Sequence, residues 1–303
     1  MKIGPRTAAK NLLVLRSLNA RMTLAEQDYW NYIGQEKGFE GELQFDLLTD
    51  NLQNQCIVLK GLLLEIGGNE FQIDTVMIFQ DTIHLYDVKN YKGEYYYESG
   101  KLYRANGNIA KDLLSQLQRC ESLFIKLLQE LGFDFRVEAR LVFIHPEFTL
   151  MQAPKEYPIV YPTQVKNYVQ TLNFIPARLT KSHEILVQQL LSMHKSVSSH
   201  MRMPFYAYEN LIKGMLCKLC FSLETYVDGN WLVCRKCGHK EPLEAAVVRN
   251  VQELLLLFPG MKITTNGVHE WCGMVLSKKT IRRILLKYYR SVGKTKVRYF
   301  LIE

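Results

Sequence analysis

With 303 residues, 48% of them hydrophobic and 22% charged, the chain can build more than one core; wholesale disorder is excluded and two or three domains are expected. No apolar run approaches the ~20 residues that a membrane-spanning helix needs. The net charge of +8 favours a polyanionic partner, and its excess is uneven: residues 241–303 hold 11 Lys and Arg against 5 Asp and Glu, which points to nucleic acid.

Residues 1–34 open basic, with no acid before Glu26. The apolar run LLVL (12–15) is too short for the h-region of a signal peptide and no small-residue cleavage site follows, so a helical extension on a cytoplasmic protein is expected. Residues 35–180 alternate helical and strand patterns. An early helix closes at LLTDNL (47–52). CIVLKGLLLEI (56–66), FQIDTVMIF (71–79), TIHLYDVKN (82–90) and GEYYYESGKLYRA (93–105) then read as successive strands. AKDLLSQLQRCESLFIKLLQELG (110–132) reads as an amphipathic helix, with Leu113, Leu117, Leu123, Leu127 and Leu131 near one stripe and Gly132 as its stop. FRVEARLVFIHP (135–146) is an apolar strand ended by Pro146. This order predicts an α/β or α+β fold with a mixed sheet. Residues 181–213 read as a helical linker, 214–240 as a small cysteine unit, and 241–303 as a basic α+β unit.

The stretch from Ile73 to Gly93 raises a chemical question, because an apolar hairpin carries Asp74, Asp87 and Lys89. If the strands turn at Gln80-Asp81, opposing residues sum to 161. Asp74 then faces Asp87, and Lys89, two residues on, shares their face. Two carboxylates across a ladder repel unless a cation sits between them, and carboxylate oxygens suit Mg²⁺. On these residues alone two readings stay open: a metal site with a lysine beside it, or a surface salt bridge of Asp87 with Lys89 and an unrelated Asp74.

KGFEGE (37–42), QID (72–74), DVKNYKG (87–93) and KDLLSQ (111–116) follow one another as the ordered motifs of the NERD (nuclease-related) domain do, and residues 35–150 resemble that domain of the PD-(D/E)XK nuclease-like superfamily. An N-terminal extension of this kind also occurs in Bacillus-type, bacterial members. The resemblance implies that Asp74 and Asp87 hold a catalytic Mg²⁺ or Mn²⁺. It also implies that Glu42 adds an acid near the metal, that Lys89 is the catalytic lysine, and that Gln116 faces the site from the following helix. Two positions depart from the family pattern. Asp87 stands where glutamate is more usual, which shortens the acid by one methylene. Asp112-Leu113 replaces the Asn-Pro before the Gln-bearing helix, which puts the start of that helix in question.

CKLCFSLETYVDGNWLVCRKC (217–237) is Cys-x2-Cys, thirteen residues, then Cys-x2-Cys. Cys217, Cys220, Cys234 and Cys237 at this spacing predict a tetrahedral, structural Zn²⁺ site. The connecting segment reads as a hairpin turning at Asp228-Gly229, which makes the unit a zinc ribbon. Cys56, Cys120 and Cys272 lie in apolar contexts and are expected as small core residues.

Beyond the ribbon, LEAAVVRNVQELLLLFP (243–259) is an amphipathic helix and KITTNGVHEWCG (262–273) fits a short strand and a second helix. In LSKKTIRRILLKYYR (276–290), Ser277 reads as an N-cap and Ile281, Ile284, Leu285 and Tyr288 as the buried face. The other face offers Lys278, Lys279, Arg282, Arg283 and Lys287. VGKTKVRYFLIE (292–303) reads as a two-stranded wing with Lys294, Lys296 and Arg298 outward. Three helices and a wing resemble a winged helix-turn-helix, whose second helix enters the DNA major groove. Taken together, the sequence predicts a metal-dependent nuclease acting on DNA, targeted by ribbon and winged helix. The alternative is a non-catalytic DNA-binding or assembly protein that uses the nuclease-like core as scaffold, with protein partners through ribbon or winged helix.

Overall fold

The computed structural model describes residues 6–98, 101–108, 112–199, 203–293 and 298–301. The chain forms two compact units, one of residues 1–9 and 33–201, the other of residues 10–32 and 202–303. Among the described residues no helix is long and apolar enough to cross a membrane. Helix α1 (Lys10–Arg21) lies in the second unit, and α2 (Glu26–Thr49) gives its residues from Ile33 onward to the first.

The first unit is a mixed α/β fold. Its five-stranded sheet uses β1 (Ile57–Ile66), β2 (Asn69–Ile78), β3 (Thr82–Lys89), β6 (Arg136–Phe143) and β8 (Ile159–Val160), in the order β1-β2-β3-β6-β8. The first three strands are antiparallel, and β3, β6 and β8 run parallel. Gly67 and Gly68, both at positive φ (54° and 74°), form the two-residue turn between β1 and β2; left-handed backbone at both positions matches the right-handed strand twist and favours glycine there. A smaller sheet joins β5 (Lys101–Arg104), β4 (Gly93–Glu98) and β7 (Phe148–Met151).

Both faces of the large sheet are buried, as a sheet with parallel strands requires. One face packs with α3 (Leu113–Glu130) and α5 (Lys181–Ser192) through Leu117, Phe124, Leu127, Leu186 and Leu190. The other packs with α2 and α4 (Val165–Leu172) through Phe45, Tyr86, Val142, Val165 and Leu172. The buried stripe of α3 is Leu113, Leu117, Phe124, Leu127 and Leu128, with Leu123 and Leu131 only partly covered. Phe124 and Leu128, each one residue past an expected leucine of the stripe, take the buried positions instead. The helix starts firmly despite lacking the family's Asn-Pro: Asp112 caps it, its carboxylate accepting the Ser115 amide (3.0 Å) and hydroxyl (2.8 Å). Lys111 lies outside the described residues.

The second unit holds α1, a three-stranded sheet of β9 (Thr225–Asp228), β10 (Trp231–Cys234) and β11 (Lys240–Pro242), and the helices α6 (Leu243–Leu257), α7 (Thr265–Trp271) and α8 (Lys278–Tyr288). A strand pair, β12 (Arg290–Val292) with β13 (Tyr299–Leu301), follows. The strand expected after Pro259 is a single bridge, Ile263 to Phe300. Arg21 ties α1 to α6 by two bonds to the Glu253 carboxylate (2.9 and 2.7 Å), donates to the Ile212 and Gly214 carbonyls, and stacks 4.0 Å over Trp271. A fully buried guanidinium is tolerated because its donors find acceptors. Ser277 caps α8 by accepting the Thr280 amide. Ile281, Ile284 and Leu285 are buried as expected, whereas Tyr288 is exposed and Tyr289 takes its place in the core. The helix ends at Tyr288, and the extended backbone of Tyr289 (φ −137°, ψ 147°) turns that side chain inward.

Candidate active site

The site is built where α2 approaches the end of β3. A Cβ added at Gly41 would stand 2.7 Å from the Cβ of Asn90 and 3.2 Å from Ile144, so only glycine lets the helix come this near. Asn90 answers with its Nδ2 to the Lys37 carbonyl (2.9 Å), while its Oδ1 is enclosed without a partner. The next helical residue, Glu42, is thereby brought beside Asp74.

The β2–β3 register is the expected one. Thr75 pairs Tyr86, Val76 Leu85, Met77 His84 and Ile78 Ile83, and the Phe79 amide bonds the Thr82 carbonyl across the Gln80-Asp81 turn (2.9 Å). The ladder stops one pair short of Asp74–Asp87. There the Asp74 carboxylate itself accepts the Val88 amide (2.8 Å), so a side chain takes the place of the next strand bond. Opposite Asp74 on β1 stands Gly61 at φ 66°, and the strand reverses its faces at that point: Ile57 and Leu59 before it, and Leu62 and Leu64 after it, enter the same core. This break in the two-residue alternation opens the sheet where the acids gather.

Asp74 is 9% exposed. Burial drives its carboxyl well above the ordinary aspartate range, Glu42 and Asp87 push the same way, and Lys89 and the Val88 amide oppose them. Lys89 donates to Asp87 Oδ1 at 2.5 Å, both side chains being about a quarter exposed or less. Burial pulls the Lys89 ammonium down, but Asp87 and Asp74 outweigh it and hold its pKa above the ordinary lysine value. The Asp87–Lys89 salt bridge of one reading is present, and Asp74 lies within electrostatic reach of both its members.

Arg6 is a residue that sequence reasoning missed. Its side chain is 3% exposed. It grips Asp46 through Nε (2.9 Å) and Nη2 (3.0 Å), donates Nη1 to Glu42 Oε2 (2.5 Å), and reaches the Asp74 carbonyl (2.7 Å) and Thr75 hydroxyl (3.0 Å) through Nη2. One guanidinium thus ties the helix bearing Glu42 to the strand bearing Asp74. Burial raises the Glu42 carboxyl and Asp46 adds to it, against the pull of Arg6. Lys60 gives Asp46 a second cation at 3.3 Å.

Residues 37–144 match the family model of the nuclease-related domain, NERD. The match encloses Glu42, Asp74, Asp87, Lys89 and Gln116. No curated protein matches the chain. Among solved structures, protein VC1899 from Vibrio cholerae is similar at 12% identity and a TM-score of 0.27, over 50% of this chain and 36% of that one. A likeness this low carries no argument about fold or activity.

Within the matched residues Gln116 is exposed on the first turn of α3. One turn on, Cys120 has both aspartates in its surroundings. Its Sγ approaches the Gln72 carbonyl (3.6 Å), and burial, then Asp87 and Asp74, push its thiol up to about 12. The i, i+4 spacing on a helix face was the signal that could have found it.

The four knuckle cysteines converge. Cys217 and Cys237 sulfurs lie 3.6 Å apart, Cys220 and Cys234 3.5 Å, and all four within 4.8 Å of one another. Tetrahedral Zn–S bonds of ~2.3 Å put sulfurs about 3.8 Å apart, so the cluster can hold a metal such as zinc. Each knuckle closes alike: Phe221 and Gly238, both at positive φ (55° and 72°), donate their amides to the carbonyls of Cys217 and Cys234. Burial pushes the Cys234 thiol up, but the amides of Cys237 and Lys236 and the Cys220 thiol bring it down to about 7. Among the described residues this is the one set of three or more His, Cys, Asp or Glu side chains so gathered; Glu42, Asp74 and Asp87 do not form another.

On α8, Lys278, Lys279 and Arg282 are exposed, whereas Lys287 (2.6 Å) and Arg283 (3.9 Å) lean on Glu244 of α6. Arg298 is half-buried with its Nε enclosed. Lys294 and Lys296 lie outside the described residues.

Proposed function

We propose that the chain is a metal-dependent nuclease that hydrolyses phosphodiester bonds in DNA. The observation that supports this reading best is the buried Asp74 carboxylate, destabilised by Asp87 and Glu42 and set beside a charged Lys89 inside a nuclease-related domain. A carboxyl group raised above its ordinary range by burial and, after it, by the like charges of Glu42 and Asp87 suits a divalent cation, and the oxygen donor set suits Mg²⁺ or Mn²⁺. Asp74 and Asp87 would hold that ion, which when bound supplies Lewis-acid activation of water and neutralises charge on the phosphate.

The remaining steps belong to the chain. The Val88 amide fixes the Asp74 carboxylate. Lys89 keeps its proton at neutral pH, so its ammonium can hold the attacking water or stabilise charge developing on a phosphate oxygen. Arg6 takes one Glu42 oxygen, which makes Glu42 a supporting acid at the rim. The four cysteines hold a structural Zn²⁺, and α6, α7, α8 and the β12–β13 pair act as a winged helix whose Lys278, Lys279 and Arg282 contact phosphates. Lys287, Arg283 and Arg298 extend that basic surface.

A second reading has its own support. Glu42 is engaged by Arg6 and Asp87 by Lys89, as in a core kept for scaffold, and the chain would then bind DNA or assemble with protein partners without cutting. The test is cleavage of plasmid and single-stranded DNA in EDTA, Mg²⁺ and Mn²⁺, with Asp74→Ala, Asp87→Ala and Lys89→Ala in parallel. Metal-dependent cutting that these variants lose while still binding DNA supports the nuclease. DNA shifted but intact with the wild type overturns it.

A further inference from the structure

The sheet between the two cysteine knuckles has one covered and one open face. Val227, Leu232 and Glu241 share the covered face; Val227 and Leu232 join the core of the second unit, and Glu241 is paired with Arg249. The open face carries Tyr226, Trp231 and Lys240, with Asp228 opposite Trp231 and the buried Val233 opposite both Tyr226 and Lys240. Trp231 is 48% exposed and Tyr226 38%. Their register makes them diagonal neighbours on one face, with Cβ atoms roughly 7–8 Å apart.

An exposed indole and phenol side by side are costly on a folded surface unless something covers them. The charge around them says what. Arg235 lies over the Tyr226 ring at 4.6 Å, and Lys218, Lys236 and Lys240 are exposed on the same small unit. Of its acids, Glu241 is buried against Arg249, leaving Glu224 and Asp228 exposed. Two aromatic faces framed by cations match a ligand that is itself a chain of flat rings on an anionic backbone. A duplex keeps its ring faces stacked internally; a single strand offers them.

We propose that the open face of the knuckle sheet is a binding site for single-stranded nucleic acid, with Trp231 and Tyr226 stacking bases and Arg235 and Lys240 holding phosphates. It uses no residue of the acidic site or of α8, and it deepens the nuclease reading by assigning an unpaired strand as the nucleic acid the protein grips.

The experiment is binding of a labelled oligo(dT) of about 15 nucleotides, a length that spans a small binding face, with no added divalent cation so that cleavage cannot intervene. In a Trp30→Phe chain, Trp231 is the exposed indole, because Trp271 is fully buried. The expected result is quenching of its fluorescence on binding. Trp231→Ala and Tyr226→Ala should each weaken binding roughly 5- to 150-fold, the range for losing one stacked base, and Trp231→Phe should recover part of it. Arg235→Ala should flatten the salt dependence by about 0.7 in log–log slope. Zinc content and duplex binding stay as in the wild type, whereas Lys279→Ala with Arg282→Ala changes duplex binding alone. Oligo(rU) in parallel shows whether the strand is DNA or RNA. Unquenched Trp231, or aromatic variants that bind as the wild type does, overturn the site, and an open face indifferent to oligonucleotide falls to a protein partner. Absence of cleavage alongside intact strand binding sinks the nuclease and leaves this site standing.

Discussion

Replacing Arg6 by Gln removes the cation that the buried Asp46 and the partly buried Glu42 share. Asp46 loses a bidentate partner and keeps Lys60 at 3.3 Å, while Glu42 loses its 2.5 Å partner, and the Asp74 carbonyl and Thr75 hydroxyl lose a donor. Breaking a buried pair by deleting one side costs about 3–5 kcal/mol. The surviving Lys60 contact and the partial exposure of Glu42 place this case near the lower end, at about 3 kcal/mol. In a unit of this size each kcal/mol moves Tm by about 2–4 °C, so metal-free Arg6→Gln should melt about 6–12 °C below the wild type. Calorimetry of the single and double variants measures it. In a Glu42→Gln background the same substitution should cost at least about 1 kcal/mol less, because the stranded charge is gone. A melting point within about 2 °C of the wild type, or costs that simply add, would refute the reasoning that Arg6 pins α2 to β2.

The other expectations follow from the same structure. Asp74→Asn keeps an oxygen for the Val88 amide but removes a charge that the fold resists. An acid whose folded pKa is raised weakens the fold as pH climbs through that value, so without divalent ions Asp74→Asn should be the more stable protein at pH ~8. The gap should close as pH falls towards 3.8, the ordinary aspartate value; a less stable Asp74→Asn at high pH contradicts this. Glu70 behaves oppositely: its bonds from Lys195, Ser198 and the Ser199 amide hold its carboxyl at about 2. The denaturant midpoint of Glu70→Gln should therefore trail the wild type at neutral pH, with the deficit shrinking as pH drops from 4.5 towards 2; a deficit unchanged by pH would mean shape, not charge. Metal analysis should find one zinc per chain held by the cysteine cluster, and Cys234→Ser or a strong chelator should lower the melting point of the second unit and expose the remaining cluster thiols to a thiol reagent, while Cys56, buried in the first unit, stays protected.

Much of the site was legible along the chain because it is governed by short-range rules. Alternation with period two and a two-residue turn fixed the 161 register, which the ladder keeps for every pair it makes. The Cys-x2-Cys spacing brought four sulfurs together through two local turns. Ser277 caps its helix through a bond spanning three residues. What escaped was set across space. Arg6 meets partners 36 to 69 residues away, and no periodicity links them. Cys120 comes within electrostatic reach of Asp74 and Asp87, because helix phase is decided by which leucines the sheet buries. The ladder ends at Thr75, and beyond it the Asp74 carboxylate, opposite Gly61 of the neighbouring strand, accepts the Val88 amide. The sequence by itself determined the hairpin register and the cysteine cluster, since each is closed by neighbours within a few residues. Only the tertiary structure decided which charges share a buried space, because the desolvation that makes Asp74, Glu42 and Arg6 matter exists only once the helix and the sheet have met.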